Sequence, residues 1–396
     1  GDPLVMNAKS ECSGSPRKNL VCVINSLTTG GAERILIELL QALEAQLRRC
    51  DVHLVLLDAE VEHHSVPPWV KKHTLNARSS TIRSTISLAR LLRRVRPCIT
   101  LSFLTRANCA SILASKILGL NIVISERVHT SSHFGSGLRA SLRKWMVRLL
   151  YPLADQVITV SQGIGDDLTK NFGVAASRII VIPNPVDTYG IRQKALQNPA
   201  IELPDLYIVG AGRFVSNKNF RLLIEAYRAS GIPEVLLILG EGEERSMLET
   251  VIASAGLQQR VLLPGHVSNP HPIVKRARFF VSSSNAEGFP NSLVEAMVLG
   301  IPVVATDCLT GPSEILNGFS KQQCSRVESA SYGILVPRNN VGALADAIRL
   351  ASDGEVNSRY RVRSLERSKD FEREHAVAQY WSVLSSFLGR DAISAE

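Results

Sequence analysis

Phe279-Phe280-Val281-Ser282-Ser283-Ser284-Asn285-Ala286-Glu287-Gly288-Phe289-Pro290-Asn291-Ser292-Leu293-Val294-Glu295 carries the chain from an apolar strand, through a polar turn, into a helix that ends near Gly300. Pro290 suits the first helical position, where its missing N–H costs nothing. The amides of Asn291, Ser292 and Leu293 then stand unpaired at a positive dipole end, which is how a helix holds phosphate. Glu287 comes just before that anion site, next to Phe289, and Glu295 lies about one turn inside the helix. One carboxylate can reach a group attached to the phosphate, and the other can accept hydrogen bonds from hydroxyls on its far side. Such a pair forms a clamp for a sugar nucleotide. An acidic helix flank with a solvated glutamate in its second turn is the plainer alternative, and the strand-to-helix turn through Gly-Phe-Pro-Asn favours the clamp.

At 396 residues the chain exceeds one ordinary core, so two domains are expected. Short β-branched runs alternate with amphipathic stretches in both halves, the pattern of parallel α/β sheets. In the first half, strands are expected at 20–25, 51–57, 98–102, 121–125, 156–160 and 179–183. Helices are expected near 32–47, 81–94, 106–118, 137–151 and 162–171. Ile182-Pro183-Asn184-Pro185-Val186-Asp187 breaks the pattern, and its prolines favour an extended hinge. Strands then resume at 206–210, 234–240, 261–264, 278–283, 302–306 and 332–336. Helices are expected near 219–229, 243–255, 270–277, 290–299, 312–317 and 341–353. The expected organisation is an arm at 1–17, a first domain at 18–183, a second at 184–370, and a helix within 371–396 that crosses back to the first domain. The fold class is α/β, with two doubly wound, Rossmann-like domains facing across a cleft where ligands bind beyond the strands' carboxyl ends.

The net charge of +9 is uneven. Residues 1–189 hold 23 Lys and Arg against 14 Asp and Glu, so the whole excess lies there and that half should meet something anionic. The seven cysteines are scattered without Cys-x-x-Cys spacing, which argues against a zinc cluster or disulfide framework. No metal is expected to be needed. No apolar run approaches a membrane span and no signal peptide is read, so the expected location is cytoplasmic. Residues 1–5, ahead of Met6, resemble an expression scar. Aromatic residues make up 5% of the chain without basic–aromatic interleaving, so nucleic acid is not an expected partner.

Further candidates lie at the ends of the expected strands. Gly30-Gly31-Ala32-Glu33-Arg34 lets backbone approach an anion closely, with a plain tight turn as the alternative. It is neither Gly-x-Gly-x-x-Gly nor a Walker loop. Gly212-Arg213 with Lys218-Asn219 sets a guanidinium and an ammonium around a turn, suited to a diphosphate. Gly265-His266-Val267 offers either a contact to a nucleotide base or packing. Thr310-Gly311-Pro312-Ser313-Glu314 opens one more helix at the same edge, where serving that helix's N-terminus is the plain reading of Glu314. Glu126, Arg127 and His129 should border the cleft, as acid/base or sugar-orienting groups or as a salt bridge. In 138–150, Leu138, Leu142, Trp145 and Leu149 share one helical face, while Arg139, Arg143, Lys144 and Arg148 lie off it. Such a helix either lies on an anionic membrane or packs on a sheet.

Taken together, Gly30-Gly31-Ala32-Glu33-Arg34, the Pro183-Asn184-Pro185-Val186-Asp187 hinge, Gly212-Arg213 with Lys218-Asn219, and the Glu287–Glu295 run resemble the family 4 retaining glycosyltransferases with the GT-B fold. The resemblance spans residues 20–390. It implies an activated sugar on the second domain and an acceptor on the first. By that resemblance Glu287 contacts the donor sugar, Glu295 holds the ribose, and Arg213 and Lys218 neutralise the diphosphate. It also implies transfer with retained anomeric configuration, the acceptor attacking from the face that the nucleotide leaves. Arg213, Lys218, Gly31 and the helix opening at Asn291 can stabilise the departing charge without a divalent metal. Ser125-Glu126-Arg127 departs from the His-Asp or His-Gly pair of many members and resembles a bacterial surface-polysaccharide and lipid-linked-oligosaccharide subgroup. His129 as a catalytic group is therefore an expectation by analogy.

That subgroup points to a UDP-activated hexose or N-acetylhexosamine as donor. The expected acceptor is a glycan or a polyprenyl-diphosphate-linked sugar, met by a peripheral enzyme on the inner membrane face. Two alternatives belong to other classes. A sugar-nucleotide 2-epimerase of the same fold would interconvert donors without an acceptor, and a non-catalytic nucleotide-sugar-binding protein would tolerate Glu287→Gln.

Overall fold

In the structure of the protein, a computed structural model, residues 17–28, 30–134, 136–319 and 323–389 are described. The arm expected at 1–17 lies outside them except for Arg17.

Seven strands build the first sheet: β1 (Lys18–Ile24), β2 (Cys50–Leu56), β3 (Lys71–Thr74), β4 (Ile99–Phe103), β5 (Ile122–Glu126), β6 (Gln156–Thr159) and β7 (Ile179–Val181). They pair in parallel in the order β3-β2-β1-β4-β5-β6-β7. Helices cover both faces, so central strands read as continuous apolar runs: every residue of β4 is buried. β3 is the exception. Its Lys-Lys-His-Thr sequence suits a solvent-facing edge and carries no apolar signal, which is why it escapes a reading of periodicity.

The second sheet comprises β8 (Tyr207–Ala211), β9 (Val235–Leu239), β10 (Val261–Gly265), β11 (Phe280–Ser282), β12 (Val303–Thr306), β13 (Glu328–Ser329) and β14 (Ile334–Val336). Its order is β10-β9-β8-β11-β12-β14-β13, with the short β13 antiparallel at one edge. Strand order reverses between β1 and β4 in one sheet and between β8 and β11 in the other. Those switch points are where open α/β sheets hold ligands.

The chain passes between the two units twice. Val186 N–H donates to the Phe371 carbonyl (3.1 Å) and Arg373 N–H to the Val186 carbonyl (3.0 Å), so the outgoing and returning segments pair. Beyond that pairing, the helix Arg373–Leu388 buries Ala376, Tyr380, Val383, Leu384 and Leu388 against the first sheet's core, beside Phe103 and Leu101. Two helices unread in the sequence complete the second half, Thr188–Lys194 and Gly354–Ser368.

Candidate functional site

The helix Asn291–Val298 begins one residue later than expected. Pro290 has a non-helical ψ of 86° and takes the N-cap position, and its carbonyl accepts from Leu293 N–H at 3.1 Å and Val294 N–H at 3.2 Å. The Leu293 amide is therefore not free as expected, and the Leu293 side chain is fully buried. Asn291 and Ser292 keep the first two helical amides, which have no acceptor in the helix itself. Phe289 is likewise taken up in packing, edge-on to Phe371 with ring centres 5.5 Å apart.

Glu287 lies in the loop between β11 and this helix. Its Oε1 accepts from Lys218 Nζ (2.5 Å) and Ser284 Oγ (2.6 Å), while Thr310 Oγ1 donates to its backbone carbonyl (2.5 Å). Oε2 meets no donor among the described residues and remains available. Lys218 closes a short turn after β8, and Arg213 on the same loop is exposed. Glu295, one turn into the helix, is held at both oxygens. Oε1 lies 3.8 Å from Arg34 Nη2 of the first domain, and Oε2 lies 3.3 Å from His271 Nε2, whose Nδ1 meets Asn269 Oδ1 at 3.0 Å. His271 was not singled out in the sequence. Nothing in its local context there marks it, because Glu295 is 24 residues further on. His266 is exposed just past β10, and Val267 packs partly into the core.

The first domain closes on this edge. A Cβ on Gly288 would stand 2.1 Å from the Arg127 carbonyl, so only glycine allows the two backbones to approach so closely. Gly31 faces the same helix, and the nearest atom to a Cβ built there is Asn291 Nδ2, at 3.9 Å. Glu314 serves its own helix through the amide of Gly311, the N-cap residue, and reaches further than expected. Its carboxylate also caps Gln162–Phe172 in the first domain, accepting from Gln162 N–H (2.7 Å) and Gly163 N–H (2.9 Å).

A cavity of about 480 Å³ opens beyond the carboxyl ends of β1, β4 and β5, lined among others by Asn25, Leu104, Arg106, Glu126, His133 and Arg143. Leu104 has φ of 77°, a costly conformation for a branched side chain and one that concentrates at functional sites. Arg106 pairs with Asp58, which also accepts from Ser79 N–H (2.9 Å). Glu126 is fully buried; its carboxylate accepts from Tyr151 OH (2.5 Å) and from Arg127 N–H (2.9 Å). Burial raises its pKa above the usual carboxyl value, against the opposing pull of those donors. Burial, then the neighbouring Arg143 charge, lowers that of His133. His129 points to its own domain, with Nδ1 2.8 Å from Ser132 Oγ and Nε2 3.7 Å from Asp167 Oδ1.

The helix Leu138–Leu150 does not pack its apolar stripe on a sheet. It buries Ala140 and Val147, leaving Leu138 91% and Trp145 58% exposed, with Leu142 and Leu149 also open. Trp145 and Leu149 line an apolar groove of about 440 Å³ with Ile82 and Ile86. Thr81 and Met146 border both this groove and the polar cavity, so the two adjoin.

Residues 192–369 match the family described as glycosyl transferases group 1, and residues 29–189 match glycosyltransferase family 4. The chain belongs to the family 4 glycosyltransferases. Among curated relatives of this glycosyltransferase is the N-acetylgalactosamine-N,N'-diacetylbacillosaminyl-diphospho-undecaprenol 4-alpha-N-acetylgalactosaminyltransferase of Campylobacter jejuni, 29% identical and covering 88% of this chain and 94% of the relative. A second Campylobacter jejuni enzyme, a GalNAc-alpha-(1->4)-GalNAc-alpha-(1->3)-diNAcBac-PP-undecaprenol alpha-1,4-N-acetyl-D-galactosaminyltransferase, is 23% identical over 92% of this chain and 97% of its own. Among solved structures, Anabaena HepE in complex with UDP superposes with a TM-score of 0.72 at 20% identity, over 93% of this chain and all of that one. The GT-B fold of this glycosyltransferase is thus the two-domain α/β arrangement described above.

Proposed function

We propose that the protein is a retaining transferase that moves a hexose or N-acetylhexosamine from a UDP-sugar to a polyprenyl-diphosphate-linked acceptor at a membrane surface. One observation carries the donor half. Lys218, the open oxygen of Glu287, Glu295 and the start of the Asn291–Val298 helix converge at one edge of the second sheet, facing Gly31 and Arg34 of the first domain. In this arrangement the diphosphate sits among Lys218, Arg213 and the helix amides, Glu295 takes the ribose, and Glu287 Oε2 takes a sugar hydroxyl. Cations and amides aimed at the departing diphosphate lower the barrier to its loss, in place of a divalent metal. The UDP complex of HepE supports the choice of base, and the names of the two Campylobacter enzymes support a lipid-linked acceptor.

For the acceptor, the cavity holding Glu126, Arg106 and Arg143 takes the sugar and its diphosphate. Glu126 orients the incoming hydroxyl, and His129 acts at most through Asp167. The exposed Leu138–Leu149 stripe, flanked by Arg139, Arg143, Lys144 and Arg148, rests on an anionic bilayer, where aromatic and basic side chains together favour interfacial docking. No helix among the described residues is long and apolar enough to cross a membrane. A thermal-shift panel of UDP, GDP, ADP and their sugar conjugates, in EDTA, tests the donor site. Stabilisation by UDP is expected, because a ligand that binds the folded state raises Tm. Stabilisation by GDP or ADP instead would overturn the choice of base.

A further inference from the structure

Three polar side chains link the first domain to the start of the donor-site helix through the hinge. Arg127 follows β5, with its guanidinium 5.9 Å from the centre of the Phe103 ring. Its Nη2 donates to Oδ1 of Asn184, a buried hinge residue. Asn184 Nδ2 in turn donates to Asn291 Oδ1 at 3.0 Å. Asn291 Nδ2 then faces the Gly31 turn and meets no acceptor among the described residues.

The direction of this chain is set at one end. An asparagine amide can present either its oxygen or its nitrogen, and neighbours decide which. Arginine has donors only, so Asn184 must turn its oxygen to Arg127. Its nitrogen is left for Asn291, which must answer with oxygen. The one remaining group, Asn291 Nδ2, is thereby locked as a donor, in line with the free amides of Asn291 and Ser292.

We infer that Asn291 Nδ2 is a side-chain donor to the donor's diphosphate, and that Arg127 and Asn184 are positioning residues that fix its polarity. This rests on the proposal that the second domain binds a nucleoside diphosphate. Held in place before the reaction, such a donor stabilises the charge that builds on the departing diphosphate without having to reorganise. It would also make nucleotide binding depend on a residue of the acceptor domain, so the relay is complete only with the domains closed.

The test is calorimetric titration of metal-free protein with UDP, together with saturation-transfer NMR with uridine, which lacks phosphate. Arg127→Met and Asn291→Ala should each weaken UDP by about tenfold, the scale of a hydrogen bond to a charged group. The double variant should bind no worse than the weaker single, because the two act through one contact. Uridine binding should stay within about twofold, which a general loss of structure would not allow. Asn291→Asp, which sets a carboxylate against the diphosphate, should weaken UDP at least as much even if the Arg127 variant does not fold. UDP binding unchanged in Arg127→Met or in Asn291→Asp, or additive losses in the double variant, would overturn the relay. Wild-type protein that binds none of UDP, GDP and ADP would instead overturn the donor-site proposal, and the relay with it.

Discussion

Glu314 of the second domain and Gly163 of the first are joined by a 2.9 Å hydrogen bond from the Gly163 amide to the Glu314 carboxylate, whose other oxygen accepts from Gln162 N–H at 2.7 Å. A helix N-terminus in one domain is therefore capped from the other. The same segment reaches the candidate donor site, since Thr310 Oγ1 holds the Glu287 carbonyl. Removing the cap should open the cleft and loosen Glu287 together.

Glu314→Ala should cost about 1 kcal/mol of interdomain contact, the usual scale of a lost N-cap. Small-angle scattering should show a larger radius of gyration, and kcat should fall more than the donor KM rises. Glu314→Gln, which keeps one acceptor oxygen, should lie between the two. Unchanged scattering and turnover in the alanine variant would rule out a closing role.

Glu287→Gln keeps the size of the side chain and its neighbours Lys218 and Ser284 while removing the charge. Transfer should drop at least about a hundredfold, as for loss of a group that acts mainly in the transition state. UDP affinity should stay within about threefold, because in the proposed arrangement the carboxylate meets the sugar rather than the nucleotide. Full activity in this variant would favour a non-catalytic binding protein.

Much of this was legible in the sequence, and the reasons are local. Buried parallel strands such as β4 announce themselves as apolar runs, and the Glu287–Glu295 run stands out by its place at a strand-to-helix turn through Gly-Phe-Pro-Asn rather than by spacing alone. β3 could not be read, because Lys-Lys-His-Thr carries no burial signal. The helix Gly354–Ser368 is mostly polar and buries Asn357, Tyr360, Ser364 and Ser368 rather than an apolar stripe. The Glu314 cap and the Arg127–Asn184–Asn291 relay join residues between 57 and 152 positions apart, so neither has a local signature. Pro290 fell one position from its expected place, because its non-helical ψ makes it the cap rather than the first helical residue, and Leu293 lost its free amide as a result.

Stability should carry a pH signature from Glu126. Burial holds its pKa above the ordinary 4.5, so the folded chain keeps this proton to higher pH than the unfolded chain does. Folding stability attributable to Glu126 therefore falls as pH rises from about 4.5 through its raised pKa. Glu314, also raised by burial, acts in the same direction. Urea unfolding of wild type and Glu126→Gln across pH 4.5 to 7.5 should show the variant gaining on wild type as pH rises. A difference independent of pH would contradict the raised value.

The stripe at Leu138–Leu149 is exposed, so charges placed there should leave the fold alone. Leu142→Glu with Trp145→Glu should change unfolding free energy by no more than about 0.5 kcal/mol per site. Flotation with anionic liposomes at low salt should be lost. Flotation equal to wild type would move the membrane contact elsewhere.

The most direct test is transfer itself. Metal-free enzyme is given UDP-N-acetylgalactosamine or UDP-glucose with a polyprenyl-diphosphate-linked acceptor, and the new linkage is read by NMR. An α-linked product from the α-linked donor, formed in EDTA and only when acceptor is present, is the predicted result. A β-linked product, or interconversion of the donor sugar without any acceptor, would contradict it.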